Sequence, residues 1–429
     1  MAGTLTSGKL ILTDTNGNAD AFDRLRVSTP KTLFEIHHIF GKEPRVVDEL
    51  TSGTGTSTHN SSNAYVAMAT NASGAGKVIR QSYEYIPYQP GKSKLMLFTG
   101  ILETSGGRTN SISRVGCFDS TTEKTAVAGT GNGHFFELNE TTMRVVERLN
   151  DTDTAVAQAS WNVDPFDGTG PSGFTISGAD WGKCRIYAID QEWLGVGVIR
   201  MGLFINGSFR ECHRFNHSGL GSPSSTAITA PYTKLAKLPI RYEISSTVDA
   251  SQNSEMRMMC ATVLSEGGFE PVGRIFGWSG QTEIAVTSTT VFVPLFSIRI
   301  DETEPNNRIS IIIKSIHLID VSGASKYAHF HLYLLSDSSK ITGGSWTSVN
   351  ESVAEVNTTA TAVDTSGAIS VGSGYMEVKT SEEFPYEKYL NSPIVNCGID
   401  GTSRVLCIAA IKLNSNVNMY AGAEWIDVK

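Results

Sequence analysis

In the stretch "YAIDQEWLGVG", Asp190 and Glu192 stand two residues apart on what reads as a strand. Alternation sends both side chains to one face, with Cβ atoms roughly 7 Å apart. Paired acids at about that separation are what glycoside hydrolysis uses. The flanking glutamates of a sandwich-type glycanase strand motif are absent here, so the pair reads as a solvated or arginine-paired strand face. No catalytic residue is assigned.

A second candidate is "DPFDGTGPSG" at 164–173, where Gly168, Gly170 and Gly173 match G-x-G-x-x-G. A dinucleotide fingerprint needs a helix after the turn to hold the pyrophosphate. "FTISGADW" follows instead, and Pro171 removes an N–H from the loop. Asp164 and Asp167 could offer oxygens to calcium, but the alternating D-x-D-x-D pattern is missing. The preferred reading is a rigid corner with Asp-capped turns.

Two histidine pairs have ligand-like spacing, His213 with His217 and His329 with His331. The second pair shares a strand face in "HFHLYL". No carboxylate or thiolate completes either set by spacing, so no metal site and no cofactor site is assigned. Finally, "YEYIPYQPGKSK" places Tyr83 and Tyr85 on one strand face, with Tyr88 just beyond. Rings presented in this way suit a glycan or a protein partner. The competing reading is a buried cross-strand aromatic ladder.

The elements that must position these residues are strands. Helical periodicity is nearly absent, and alternating or β-branched runs such as "KLMLFTGIL", "VGVIRMGLFI" and "TVFVPLFSIRI" recur between Gly/Asn/Asp/Ser clusters. "FINGSF" predicts a hairpin with Asn206-Gly207 in a type I′ turn. Polar stretches at 51–76 and 216–230 read as surface loops or polar strands.

At 429 residues the chain can bury more than one core. The expected fold is all-β: two β-sandwich (jelly-roll-like) domains with an N-terminal extended arm. The arm covers 1–30, the first sandwich 31–245, a linker or connecting strands 246–279, and the second sandwich 280–429.

Only 18% of residues are charged and the net charge is −8, with no basic stripe, so nucleic acid is not an expected partner. No apolar run approaches a membrane span, and the N-terminus lacks a signal-peptide pattern. The six cysteines form no C-x-x-C pair and mostly sit in apolar runs, as free thiols in a reducing cytoplasm would.

Several runs together carry a family resemblance: "DAFDRLRVSTPKTLFEIHHIF", "RQSYEYIPYQPGKSKLMLFTGIL", "QASWNVDPFDGTGPSGFTI", "YAIDQEWLGVGVIRMGLFINGSF", "CHRFNHS", "LPIRYEI" and the terminal "AEWIDVK". In this order they resemble a virion structural protein family of tailed phages, marine and cyanobacterial ones especially, and of some large algal viruses, often labelled tail-fibre-like. The resemblance implies a non-enzymatic part of a virus particle, assembled in the host cytoplasm. Its place would be the tail, fibre or baseplate, or alternatively the capsid as a minor or decoration protein. It also implies a homo-oligomer, with a trimer common among such parts, and contacts with other virion proteins. Arg24 and Arg26 in "DRLRV" would then pair with carboxylates of an adjacent subunit, or else merely solvate a strand edge. A glycan-binding or glycan-cleaving sandwich protein is the reading from a different class.

Overall fold

The computed structural model describes residues 29–124, 130–218, 228, 230–247, 252–270, 273–323, 326–377 and 393–428, and the strands Ala2–Thr6, Lys9–Thr13 and Ser381–Glu383. It is all-β, and its strands pair antiparallel in two sandwiches.

Alternation explains the layering. In Ser93–Ile101, Met96 and Phe98 are fully buried while Leu95 and Leu97 face the other way, half-buried. This strand lies in an eight-stranded sheet ordered Ser208–Phe215, Ile199–Ile205, Arg185–Gln191, Ser93–Ile101, Ser254–Glu266, Tyr65–Thr70, Thr56–Asn60, with Pro30–His37 also paired to Ser254–Glu266. Facing it is a seven-stranded sheet: Thr152–Ala157, Thr142–Leu149, Gly133–Asn139, Ser111–Phe118, Ile240–Ser246, Gly76–Ser82, Val47–Gly53. Their inner faces share one core that includes Phe98, Phe136, Tyr187 and Tyr242.

The second sandwich pairs two six-stranded sheets around Phe296, Ile313, Phe330 and Trp425. One sheet is centred on Ser310–Asp320 and Val417–Val428, the other on Val293–Ile300, Val405–Lys412 and Tyr327–Leu335.

The structure bears on three sequence expectations. Of the two readings of 246–279, linker or connecting strands, strands form, and they belong to the sandwiches themselves: Ser254–Glu266 is an interior strand of the first, and Ile275–Ser279 pairs with Val417–Val428 in the second. The stretch 51–76 is only partly a polar surface, because Tyr65–Thr70 sends Val66 and Met68 into the core. In the predicted arm, Ala2–Thr6 pairs with Lys9–Thr13 as a two-stranded ribbon. Arg24 and Arg26 lie outside the described residues.

The hairpin at 206–207 forms as expected, with φ of 52° at Asn206 and 75° at Gly207 joining Ile199–Ile205 to Ser208–Phe215.

Charge is sparse in this chain, yet much of it is buried. On the outer face of the seven-stranded sheet, Arg114 reaches Glu137 and Glu243, each at 2.8 Å, and Arg241 bonds Glu243 at 2.9 Å and Glu123 at 3.1 Å. Beneath them lies a small cluster of Phe118, Phe135 and Val146. Each buried charge has an opposite partner there, which is the condition for tolerating its desolvation.

Candidate functional site

The antiparallel pairing of Arg185–Gln191 with Ile199–Ile205 sets Asp190 directly opposite Arg200. Arg200 Nη1 lies 3.0 Å from Asp190 Oδ2, and its Nε lies 3.0 Å from Glu211 Oε2. Arg214 holds the other oxygen of Glu211 at 2.7 Å. The strand ends at Gln191, so Glu192 opens the following turn instead of continuing the face. Its side chain nonetheless lines the same cleft as Asp190, with Arg200, Glu266, Lys92 and Tyr88. This cleft has a volume of about 440 Å³, the scale of a ligand site.

The environments of the acids differ. Burial raises the pKa of Asp190, and Arg200 opposes that rise. Burial also acts against ionisation of Glu211, but hydrogen bonds from Arg214 and Arg200 prevail and hold it below the ordinary carboxylate range. Glu266 accepts a hydrogen bond from Ser93 Oγ at 2.7 Å, while Glu192 is exposed.

Tyr88 lines this cleft from a fixed position. Its hydroxyl accepts from the Leu194 N–H at 3.3 Å, and its ring meets Trp193 edge-on with centroids 5.8 Å apart. Trp193 is anchored in turn by donation from Nε1 to Thr233 Oγ1 at 3.0 Å.

The cleft does not end there. A hollow of about 450 Å³ shares Tyr88 and Lys92 and runs toward Phe269 and Val428. Another, of about 230 Å³, shares Glu192, Leu194 and Val198 and reaches His217. The three hollows adjoin around Tyr88 and Leu194.

Tyr83 and Tyr85 do not join Tyr88, which corrects the expectation of three rings presented together to a glycan or protein partner. The strand Gly76–Ser82 stops before them, so the period-two argument no longer applies. Tyr85 is 4% exposed; its hydroxyl donates to Asp119 at 3.0 Å and accepts from Lys124 at 3.2 Å. Tyr83 lies under the Arg404 guanidinium, 4.4 Å from the ring centroid, and donates to Asp48 at 3.3 Å. Both contact the second sandwich or its partners, and neither presents a ring to a glycan.

The corner at 164–173 is built as a capped turn. Asp164 accepts from the Phe166 N–H at 2.9 Å and from the Ser172 N–H at 2.8 Å, and Asp167 accepts from the N–H and hydroxyl of Thr169. Gly170 is required because a Cβ there would lie 2.1 Å from Asp164 Oδ1. His213 and His217 separate: the first accepts from the Asn162 N–H, and the second meets Glu147 at 2.8 Å and stacks on Tyr232. His329 and His331 come together, with Nε2 atoms 3.1 Å apart. Among the described residues, no group of three or more His, Cys, Asp or Glu is placed to share a metal ion.

No family model and no curated protein matches this chain. Among solved structures, peanut lectin is 12% identical with a TM-score of 0.32, covering 56% of this chain and 98% of its own. The Bacillus licheniformis β-glucanase is 9% identical with a TM-score of 0.30, covering 57% and 100%. An endo-1,3-β-glucanase from Streptomyces sioyaensis is 9% identical with a TM-score of 0.35, covering 57% and 99%. These likenesses bear on neither the residues nor the chemistry of the cleft.

Glu266, Lys92, Arg200 and Glu211 are the site residues that sequence reasoning missed. They come from separate strands and a turn, and no local pattern links them. "RECHRF" and "VIRM" carry a faint signal in that opposite charges stand on strands joined by a predicted hairpin.

Proposed function

We propose that this chain is a non-enzymatic attachment component of a virus particle that holds a neutral glycan in the cleft lined by Tyr88. The observation that carries the glycan reading is the convergence of Tyr88 with Asp190, Glu192, Glu266, Lys92 and Arg200 in one open cleft. Sugar hydroxyls donate to carboxylates and accept from guanidinium and ammonium groups, and a fixed aromatic ring supplies an apolar wall without an ordering cost at binding. The excess of carboxylates disfavours acidic sugars. Asp190 is tied to Arg200 and Glu266 to Ser93, an arrangement that suits reception of hydroxyls better than proton transfer.

The virion reading rests on the sequence resemblance.

Glycan-array screening followed by calorimetry on the best neutral oligosaccharide tests the binding claim. The expected result is saturable binding that weakens at least tenfold in Tyr88→Ala with the fold intact. Binding indifferent to Tyr88, or none, overturns it. Release of reducing ends by the native chain, abolished in Glu192→Gln, overturns the non-enzymatic part. Immunogold labelling of purified particles tests the location: label on the tail supports the reading, whereas label over the head or no label refutes it.

A further inference from the structure

We infer that His329 and His331 form a binding site for a borderline transition-metal ion, of the zinc, nickel or copper(II) kind. The two histidines alternate onto the outer face of Tyr327–Leu335, away from Phe330 and Leu332 in the core. Their Nε2 atoms are 3.1 Å apart. Two imidazole nitrogens each bound at about 2.0–2.1 Å to one ion, at tetrahedral to square angles, stand about 2.9–3.4 Å apart. The metal-free chain therefore holds the spacing that a shared ion requires.

The surroundings fix both rings. His331 stacks on Tyr333 with centroids 5.1 Å apart, His329 stacks on Tyr375 at 4.6 Å, and Phe292 meets His331 edge-on at 5.0 Å. Ser370 Oγ lies 3.1 Å from His331 Nδ1. A proton on that nitrogen, donated to the hydroxyl, leaves the Nε2 lone pair aimed into the gap. This is the outer-shell contact that metal-bound histidines normally make. His329 reaches the same state by carrying its proton on Nδ1. Water completes the coordination, because Tyr375 is 70% exposed and the strip opens to solvent. An all-nitrogen pair without a carboxylate favours zinc, nickel or copper(II) over calcium or magnesium. Nothing in the glycan reading depends on this site, which lies on the other sandwich.

The test is calorimetric titration of the full chain with Zn²⁺, followed by histidine side-chain NMR. The expected result is one saturable site with the imidazole signals of His329 and His331 perturbed together. Affinity should fall at least tenfold in His329→Phe and in His331→Phe, and severalfold in Ser370→Ala. Metal-free melting temperatures serve as the folding check, and the NMR result on the native chain stands even if a variant misfolds. No saturable uptake, or uptake that leaves these two imidazoles unperturbed or survives both substitutions, overturns the inference.

Discussion

Asp190 and Glu192 are neighbours in sequence and in the cleft, but the physics at each differs. Asp190 is half-buried and bridged by Arg200, whereas Glu192 is exposed at the start of a turn. Asp190→Asn removes the charge that orients Arg200 and should weaken neutral-glycan affinity about tenfold, or about 1.4 kcal/mol, measured by calorimetry. Buried histidines make a second prediction at this scale. Burial pushes His134 down to about 3, and His38 and His213 down to about 4. The unfolded chain takes up these protons below pH 6.5 and the folded chain does not. Their contribution is therefore fully present above pH 6.5 and is lost progressively as pH falls toward 4. His217 works in the opposite sense. Burial opposes its charging, but Glu147 prevails and raises its pKa, so it stabilises the fold as it becomes protonated. Glu84 acts in the same sense as His217, since burial raises its pKa to about 8; the three depressed histidines outweigh these two groups, and urea unfolding should show falling stability from pH 6.5 to 4. His134→Phe should reduce that loss by about 3 kcal/mol; an unchanged slope would show that His134 is not the group responsible.

Among the elements, the hairpin Ile199–Ile205 to Ser208–Phe215 holds Arg200 against Glu211 and Asp190. Its turn needs positive φ at Gly207, and a Cβ there would meet nothing within 4 Å. Gly207→Val is thus a purely conformational change, expected to cost about 1–2 kcal/mol in denaturant unfolding. Glycan affinity should fall with it if the turn sets the register of Arg200. Ser254–Glu266 teaches a different lesson. Met256 and Met258 point inward, then Ala261 and Val263 do, because the register shifts between Met258 and Cys260. A bulge moves the alternation by one residue. The pattern "EMRMMCATVLSE" consequently reads as two short fragments, which is why the sequence left a linker and connecting strands both open.

For the whole molecule, the contact between sandwiches has an apolar part, where Ile312, Ile426 and Val428 join the first core, and a buried polar part. Arg308 lies 3.0 Å from Asp119 and 3.3 Å from Glu304, and Lys124 lies 3.2 Å from Glu304, all at most 9% exposed at the side chain. Lys237 donates to the Val428 carbonyl at 2.6 Å, and Arg404 donates to the Arg45 carbonyl at 2.9 Å. Removing one member of such a cluster strands the others away from water, at a cost of about 3–5 kcal/mol. Arg308→Ala should accordingly split one unfolding transition into two as the sandwiches uncouple. A single transition with unchanged midpoint would show that the cluster contributes little to coupling. Because Val428 borders the hollow beside Tyr88, the same variant should also weaken binding of longer glycans more than short ones.

The sequence alone determined whatever depends on local periodicity and local chemistry. Alternation over short runs dictates strands and hence layered sheets; Asn206-Gly207 dictates its turn; Asp164 and Asp167 cap the turns that their neighbours' N–H groups offer. Half of the proposed cleft was legible in this way, since Asp190, Glu192 and Tyr88 were singled out by type and spacing. Tertiary structure decided everything that depends on where a strand stops or which distant strand lies alongside. Tyr83 and Tyr85 were lost to the interior because Gly76–Ser82 ends just before them and the second sandwich covers the segment that follows. Glu266 and Arg200 joined Asp190 because antiparallel registers place four strands side by side, with Ser93–Ile101 between those of Asp190 and Glu266. The distance between two histidines two residues apart also depends on their rotamers, which are set by stacking partners on Ile369–Glu377 and by Phe292. Spacing along a chain states which face a side chain takes, and only packing states what it meets there.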